Sequence, residues 1–195
     1  AVSPAGGDFS EPVTQNTLRI VKVFWALDAT LSRKRHFPAI NWLQSYSLYQ
    51  GQLAEFYDEK VSPEWNKLRG WFMEVLQKEA ELNEIVQLVG SDALPEAEQI
   101  TIEVARMMRE LFLQQNGFDP VDTYCNLDKQ LDMFKMIRTY ADHAYAAQAA
   151  GVPPAQIIAV KAKNEMPQIK FTKDYKPVLD AIYKGMEEEF KALRA

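Results

Sequence analysis

Leu18-Arg19-Ile20-Val21-Lys22-Val23-Phe24-Trp25 is rich in β-branched and aromatic residues, and its length suits a buried strand. What flanks it decides the fold. Upstream, Ser3-Pro4-Ala5-Gly6-Gly7 is punctuated as a loop. Downstream, Asp28 can cap a short helix over residues 29–35. Phe37-Pro38-Ala39-Ile40-Asn41 then breaks that helix, because a residue before proline avoids the helical region. A single strand cannot stand alone, since a stable sheet needs partners. Residues 1–50 therefore read as the end of an α/β domain whose other strands are missing. An open edge along Leu18–Trp25 would invite self-association.

After Gly51 the pattern turns helical. Ser62-Pro63 reads as an N-cap with proline at the first helical position. Trp65, Leu68, Trp71, Phe72, Val75 and Leu76 then trace one helix face. A short segment with Leu82, Ile85, Val86 and Val89 ends at Gly90, a C-terminal glycine. Pro95 opens a helix through Ile100, Val104, Met107, Met108, Leu111 and Phe112, and Gly117 closes it. Another carries Leu127, Leu131, Phe134, Ile137, Ala141 and Ala144 and stops at Gly151-Val152-Pro153-Pro154. The last stripe is Tyr175, Val178, Leu179, Ile182, Tyr183, Met186, Phe190 and Leu193. The fold class is mainly α, with a helical bundle over residues 51–195 preceded by the last strand and helix pieces of a truncated α/β domain over residues 1–50.

Composition narrows the function classes. Of 195 residues, 47% are hydrophobic, enough for a sizeable core. Lys and Arg number 22 against 27 Asp and Glu, a net charge of −5. That balance argues against non-specific nucleic-acid binding and against a polybasic grip on a membrane. One cysteine, Cys125, excludes an internal disulfide framework and suits a reducing compartment. No eighteen-residue apolar run exists to insert into a bilayer. The start lacks the pattern of a signal peptide. Its first residue is Ala, which reads as processing or as a cut from something longer.

The chemical motifs are sparse. There is no G-x-x-x-x-G-K-[ST] phosphate loop, no H-E-x-x-H and no C-x-x-C. His36 and His143 lie far apart, so neither a metal site nor a Ser-His-Asp triad is signalled. His36, within Arg33-Lys34-Arg35-His36, reads as a solvated helix end, with an anion site as the alternative. His143 reads as a surface or partly buried residue. Cys125 reads as a buried structural thiol, and Glu187-Glu188-Glu189 as a polar helix face. Phe37, Phe118 and Tyr124 sit in turn-rich segments off the helix stripes. They read either as satellite packing or as the wall of a flat ligand's site. The connector Gly90-Ser91-Asp92-Ala93-Leu94-Pro95-Glu96 is acidic with one apolar residue, Leu94, and is either a solvated tip or a contact knob.

Several blocks resemble one family. They are Gly6-Gly7-Asp8-Phe9-Ser10-Glu11-Pro12-Val13-Thr14, Val23-Phe24-Trp25-Ala26-Leu27-Asp28, Arg35-His36-Phe37-Pro38-Ala39-Ile40-Asn41-Trp42-Leu43 and Ser45-Tyr46-Ser47. Further on come Glu84-Ile85-Val86-Gln87-Leu88-Val89-Gly90 and Phe112-Leu113-Gln114-Gln115-Asn116-Gly117-Phe118. In this order they resemble the catalytic A subunits of archaeal/vacuolar-type rotary ATPases. Thr14-Gln15-Asn16-Thr17-Leu18-Arg19 resembles the archaeal type more than the eukaryotic vacuolar one.

The resemblance implies the tail of a central nucleotide-binding domain (residues 1–50) and a C-terminal helical domain (residues 51–195). It implies ATP or ADP with Mg as ligands of the whole subunit, in a motor that makes or hydrolyses ATP and moves ions. It implies non-catalytic B subunits in an alternating hexamer and central-stalk subunits as partners, and a cytoplasmic, membrane-peripheral place. Nucleic acid and direct membrane insertion are not implied. The family's adenine pocket falls on Phe37 on one side and on Phe118, Val121 and Tyr124 on the other. Its central-stalk contact falls on Ser91, Asp92, Ala93, Leu94, Pro95, Glu96, Ala97 and Glu98. The phosphate loop, catalytic carboxylate and magnesium ligand of the family are missing. The chain alone is therefore expected to be inactive and to hold nucleotide weakly. The competing reading is a free-standing, non-catalytic helical interaction module that docks through residues 91–98 or an exposed helix face.

Overall fold

The computed structural model describes residues 1–3, 9–90 and 94–194, all but the Val89 side chain. It is mainly helical with a small sheet. Helix α1 (Pro12–Leu18) starts with proline in its first turn, and the Thr17 hydroxyl donates back to the Val13 carbonyl at 2.8 Å. Strand β1 (Val23–Leu27) follows, then α2 (Ala29–Arg33) and strand β2 (Ile40–Ser47). The Asp28 carboxylate caps α2 by accepting from the backbone N–H groups of Thr30 and Leu31.

The expected strand is displaced and it is not alone. Leu18 closes α1, and Ile20 is exposed in the turn that follows, so β-branched composition misplaced the start. The partner is β2, antiparallel to β1, whose polar residues disguised it. Residues 1–3 cover the other side of β1: the Ser3 N–H donates to the Trp25 carbonyl at 2.9 Å, and the Ser3 hydroxyl accepts from the Leu27 N–H at 2.7 Å. The edge expected to be open is thus paired along Val23–Leu27.

The register of the two strands breaks between Phe24 and Ala26. Phe24 faces Tyr46 but Ala26 faces Asn41, so residues 42–45 bulge out of the ladder. Polar side chains close the bulge. The Asn41 amide oxygen accepts from the Leu43 and Gln44 N–H groups, and the Ser45 hydroxyl accepts from the Ala26 N–H at 2.9 Å. The bulge turns Trp42 and Leu43 onto the helical core.

The bundle begins with α3 (Gln50–Lys60) and α4 (Trp65–Val89). Ser62 does not cap α4 as expected. Its hydroxyl accepts from Glu64 N–H in the preceding turn, and Pro63 lies outside the helix. The stretch expected as a separate short segment is the end of α4, which runs unbroken to Gly90 at φ 88°. Helix α5 (Glu96–Met107) has Pro95 at its N-cap and passes into a π-helical turn, Met108–Leu113. It stops there, before Gly117. Then come a short 3₁₀ turn (Asp122–Tyr124) and α6 (Leu127–Ala149). Gly151, at φ 86°, ends α6. The Val152 N–H bonds the Ala147 carbonyl and the Gly151 N–H the Gln148 carbonyl, a Schellman motif.

Periodicity did not reveal the pieces between α6 and the last helix. They are α7 (Pro154–Ile158), a 3₁₀ turn (Lys161–Asn164) and α8 (Gln168–Phe171), all too short for a stripe. Glu189 on α9 (Lys176–Leu193) holds the 3₁₀ turn, its carboxylate accepting from the Lys161 and Ala162 N–H groups at 2.6 and 3.0 Å. The acidic face of α9 is therefore not idle at this residue.

The core sits around α6, which buries Met133, Phe134, Met136, Ile137, Tyr140, Ala141, Ala144 and Ala147. Trp65, Phe72 and Phe112 pack their rings against Phe134, with centroids 5.2, 4.4 and 4.2 Å away. Leu179, Ile182, Met186 and Phe190 of α9 close the far side. Among the described residues no helix is long and apolar enough to cross a membrane.

Candidate functional site: an aromatic groove between sheet and bundle

The turn after α2 carries the first side of the site. Arg35 takes φ 57°, and the His36 N–H returns to the Leu31 carbonyl at 2.9 Å. The Phe37–Pro38 peptide that follows is cis. Phe37 is 50% exposed here, whereas His36 is turned inward, with only 7% of it meeting solvent. His36 is thus not the solvated helix end its basic neighbours suggested. Its Nε2 lies 3.0 Å from the Arg109 carbonyl. A carbonyl only accepts, so Nε2 is the donor of this bond. Among the described residues, Nδ1 is a buried side-chain nitrogen without a hydrogen-bond partner.

The second side is the segment after the π turn. The Gln115 N–H donates to the Phe37 carbonyl at 2.7 Å, tying the two sides together. The Asn116 amide oxygen accepts from the Phe118 N–H. Asp119 accepts from the Asp122 and Val121 N–H groups, which hold its carboxyl below the usual range. These turns present the Phe118 ring at 99% exposure. An apolar ring held so openly contributes nothing to the core.

Between the sides lies a groove of about 860 Å³. Phe37, Phe118 and Phe171 form its aromatic walls, and His36, Leu111 and Lys170 lie along it. Gln114, Gln115 and Asn116 add amide groups, while Lys34 and Arg35 add positive charge. The groove suits a flat, partly polar ligand with an anionic extension. It thus brings Phe37 and Phe118 together. Val121 and Tyr124 are on the same loop but outside the lining; Val121 is half-buried and Tyr124 is 83% exposed. Phe171 and Lys170 escaped the sequence reading because α8 is a single turn. Their only sequence signal is another aromatic off the stripes, beside a lysine.

Cys125 is half-buried rather than fully buried, and burial pushes its thiol pKa up, so it is not an activated nucleophile. His143 is half-buried, stacked on Phe190 at 5.3 Å. Among the described residues no three His, Cys, Asp or Glu side chains cluster to hold a metal ion.

The second candidate, the connector between α4 and α5, is only partly described. Ser91, Asp92 and Ala93 lie outside the described residues. Leu94 is buried, so it is not an exposed knob, while Pro95, Glu96 and Ala97 are exposed and Glu98 is half-buried. Ile85, expected on the apolar pattern of this segment, and Leu88 are exposed in the last turns of α4.

Comparison with known proteins fits this architecture. Residues 54–153 match the family model for the C-terminal domain of V and A type ATP synthase. Residues 1–47 match the model for the nucleotide-binding domain of the ATP synthase alpha/beta family. The A subunit of the A-type ATP synthase of Methanocorpusculum labreanum is 90% identical over all 195 residues, which cover 34% of that protein. The corresponding protein of Methanoregula boonei is 73% identical over the whole chain, covering 33% of that protein. The chain thus spans about a third of the length of the curated relatives it matches. An ATP synthase subunit, NeqB, of Nanoarcheaum equitans shares the fold over 71% of this chain and 34% of its own, with TM-score 0.58 and 22% identity. With a family model across half its length and a relative 90% identical along all of it, the chain belongs to the V- and A-type ATP synthase family.

Proposed function

We propose that the chain serves the catalytic subunit of a rotary ATP synthase in two ways: it supplies one wall of the adenine site and it is the lever that meets the central stalk. Residues 1–50 would belong to the nucleotide-binding domain and residues 51–195 to the helical domain, a division supported by the two family models. The whole subunit would make or hydrolyse ATP, with Mg, in an alternating hexamer with non-catalytic B subunits on the cytoplasmic side of the membrane. Catalysis proper would lie outside this chain, which carries no phosphate loop.

The observation that carries the reading is the groove with Phe37 on the sheet piece and Phe118 on the bundle. A base stacked between them would feel both bodies, so its arrival or loss would bias their relative position. The densely packed bundle would pass that displacement on rather than absorb it. Val121 and Tyr124 would extend the outer wall. Residues 91–98, with exposed Leu88 and Ile85 beside them in sequence, would form the stalk contact. Glu96 and Glu98 give that contact an acidic side.

The test is Phe118→Ala in the full-length protein. The exposed ring leaves folding unchanged, and the loss of stacking weakens ATP or ADP binding by about 1–3 kcal/mol, roughly 5- to 150-fold. Titration with a fluorescent ADP analogue reads this directly. Unchanged affinity for both Phe118→Ala and Phe37→Ala removes the groove from the nucleotide site.

A further inference from the structure

Both sides of the groove hang from one irregular piece of backbone. In the π-helical turn Met108–Leu113, Gln114 N–H bonds the Arg109 carbonyl five residues back. Widening a helix in this way leaves carbonyls whose ordinary partner has moved on. Side chains from elsewhere bond the carbonyls of this stretch, at Arg109 in addition to the Gln114 N–H. His36 Nε2 donates to the Arg109 carbonyl, and with it comes the turn that carries Phe37. Lys170 Nζ donates to the Glu110 carbonyl at 3.4 Å and, more closely, to the Gln114 carbonyl.

Lys170 then does a second thing. Only 6% exposed, it places its ammonium 3.7 Å from the Asp122 carboxylate, itself buried. Asp122 accepts from the Asn116 N–H at 2.7 Å and so closes the loop that presents Phe118. Burial pushes the lysine pKa down, and Asp122 opposes that shift. One buried ammonium therefore joins α8, the π turn and the aromatic loop. A buried ion pair is a poor source of net stability but a strict source of geometry.

We propose that Lys170 is a positioning residue for nucleotide binding: through Asp122 and the π-turn carbonyls it sets the place of Phe118 opposite Phe37. The proposal rests on the groove being the base site. The Lys170 ammonium is already engaged by Asp122 and two backbone carbonyls, so its loss is expected to act on binding and not on the chemical step.

The experiment uses the assembled enzyme with ATP as the varied substrate, comparing Lys170→Met, Asp122→Asn, the double variant and Phe118→Ala. Lys170→Met leaves Asp122 buried without its cation, and KM for ATP rises about five- to ten-fold with kcat within about two-fold. The double variant removes both charges and recovers most of that KM, because no buried charge is left unpaired. A merely structural role gives a lower melting temperature and less active enzyme at unchanged KM, which overturns the proposal. If Lys170→Met does not assemble, Asp122→Asn alone carries the test, with a KM rise expected and an unchanged KM overturning it. A KM raised by Phe118→Ala but not by the Lys170 or Asp122 variants sinks the positioning role and keeps the groove. A KM unmoved by Phe118→Ala sinks the groove reading, and the inference with it.

Discussion

The sheet piece and the bundle are built on different terms. In the bundle, α6 is wrapped by α4, α5, α7 and α9, and its apolar stripe is buried from Met133 to Ala147. The sheet has two strands and a short bridge, and its fully buried apolar side chains are Phe24 and Ala26. It is held by polar closure of the bulge and by docking of His36, Trp42 and Leu43 onto the bundle. A two-stranded sheet is marginal by itself. The bundle is thus the stable frame, and the sheet piece an attachment whose order depends on it. A groove formed between such unequal partners can change shape cheaply on one side only.

The sharpest way to break this comparison is a matched pair of core truncations. Phe134→Ala opens a cavity where Trp65, Phe72 and Phe112 meet. It is expected to cost about 3–5 kcal/mol, lowering the melting temperature by on the order of 10 °C. Phe24→Ala removes a ring that, among the described residues, meets the aromatic rings of Phe9 and Tyr46, both at 5.8 Å. Its effect on the melting of the bundle is expected within about 0.5 kcal/mol, with faster amide exchange confined to β1 and β2. Equal losses of melting temperature in the two variants would show that sheet and bundle unfold as one unit.

The second effect tests the bundle's charged seam. Glu103 is buried on α5 between Arg106 Nη2 at 2.8 Å and Lys163 Nζ at 2.7 Å. Burial raises its pKa, but hydrogen bonds from Arg106 and Lys163 outweigh burial and leave it lowered. Glu103→Gln leaves the half-buried Lys163 with no anion beside it, at a cost of about 1–3 kcal/mol. The sign of the pH effect follows from the lowered pKa. The stabilisation is complete above the unfolded value, about 4.3, and is lost as pH falls through the folded value. Acid titration of stability should therefore fall more steeply below about pH 4.5 in the native protein than in Glu103→Gln. Parallel curves would mean that Glu103 contributes no net charge stabilisation.

The same inequality explains what could be read from residue types. The bundle was legible because long helices repeat their burial: Trp65, Phe72, Leu76, Phe134, Ile137, Leu179 and Phe190 all stand where their spacing put them. The sheet was not, because β2 carries its register on Asn41 and Ser45 rather than on alternating apolar residues. Phe37 and Phe118 stood out as aromatics off every stripe, and the groove joins them. Lys170 and His36 were hidden for opposite reasons. Lys170 lies in a one-turn helix without period, and the basic run around His36 pointed to solvent while a long-range bond to Arg109 took it inside. Phe171 belongs with Lys170. No local pattern announces a contact with a partner some sixty residues away in sequence.

The smallest effect compares one kind of interaction in both regions. Asn126 caps α6 by accepting from the Lys129 N–H at 2.8 Å, and Asp28 caps α2 by accepting from the Thr30 N–H at 2.7 Å. Truncating an N-cap to alanine typically costs about 1 kcal/mol wherever it sits. What differs is the unit that loses it. Asn126→Ala is expected to lower the melting temperature by about 2–4 °C, because α6 melts only with the bundle. Asp28 also accepts from the Thr30 hydroxyl and the Asn41 amide, and these bonds, the Thr30 hydroxyl foremost, keep its carboxyl below the usual range. Asp28→Ala therefore loosens α2, the Asn41 bulge and the Phe37 turn together. If the sheet is an attachment, this loosening shows as faster exchange at residues 28–47 with the bundle's melting temperature unchanged. A drop equal to that of Asn126→Ala would instead make α2 part of the cooperative core, and the groove a rigid slot with no cheap side.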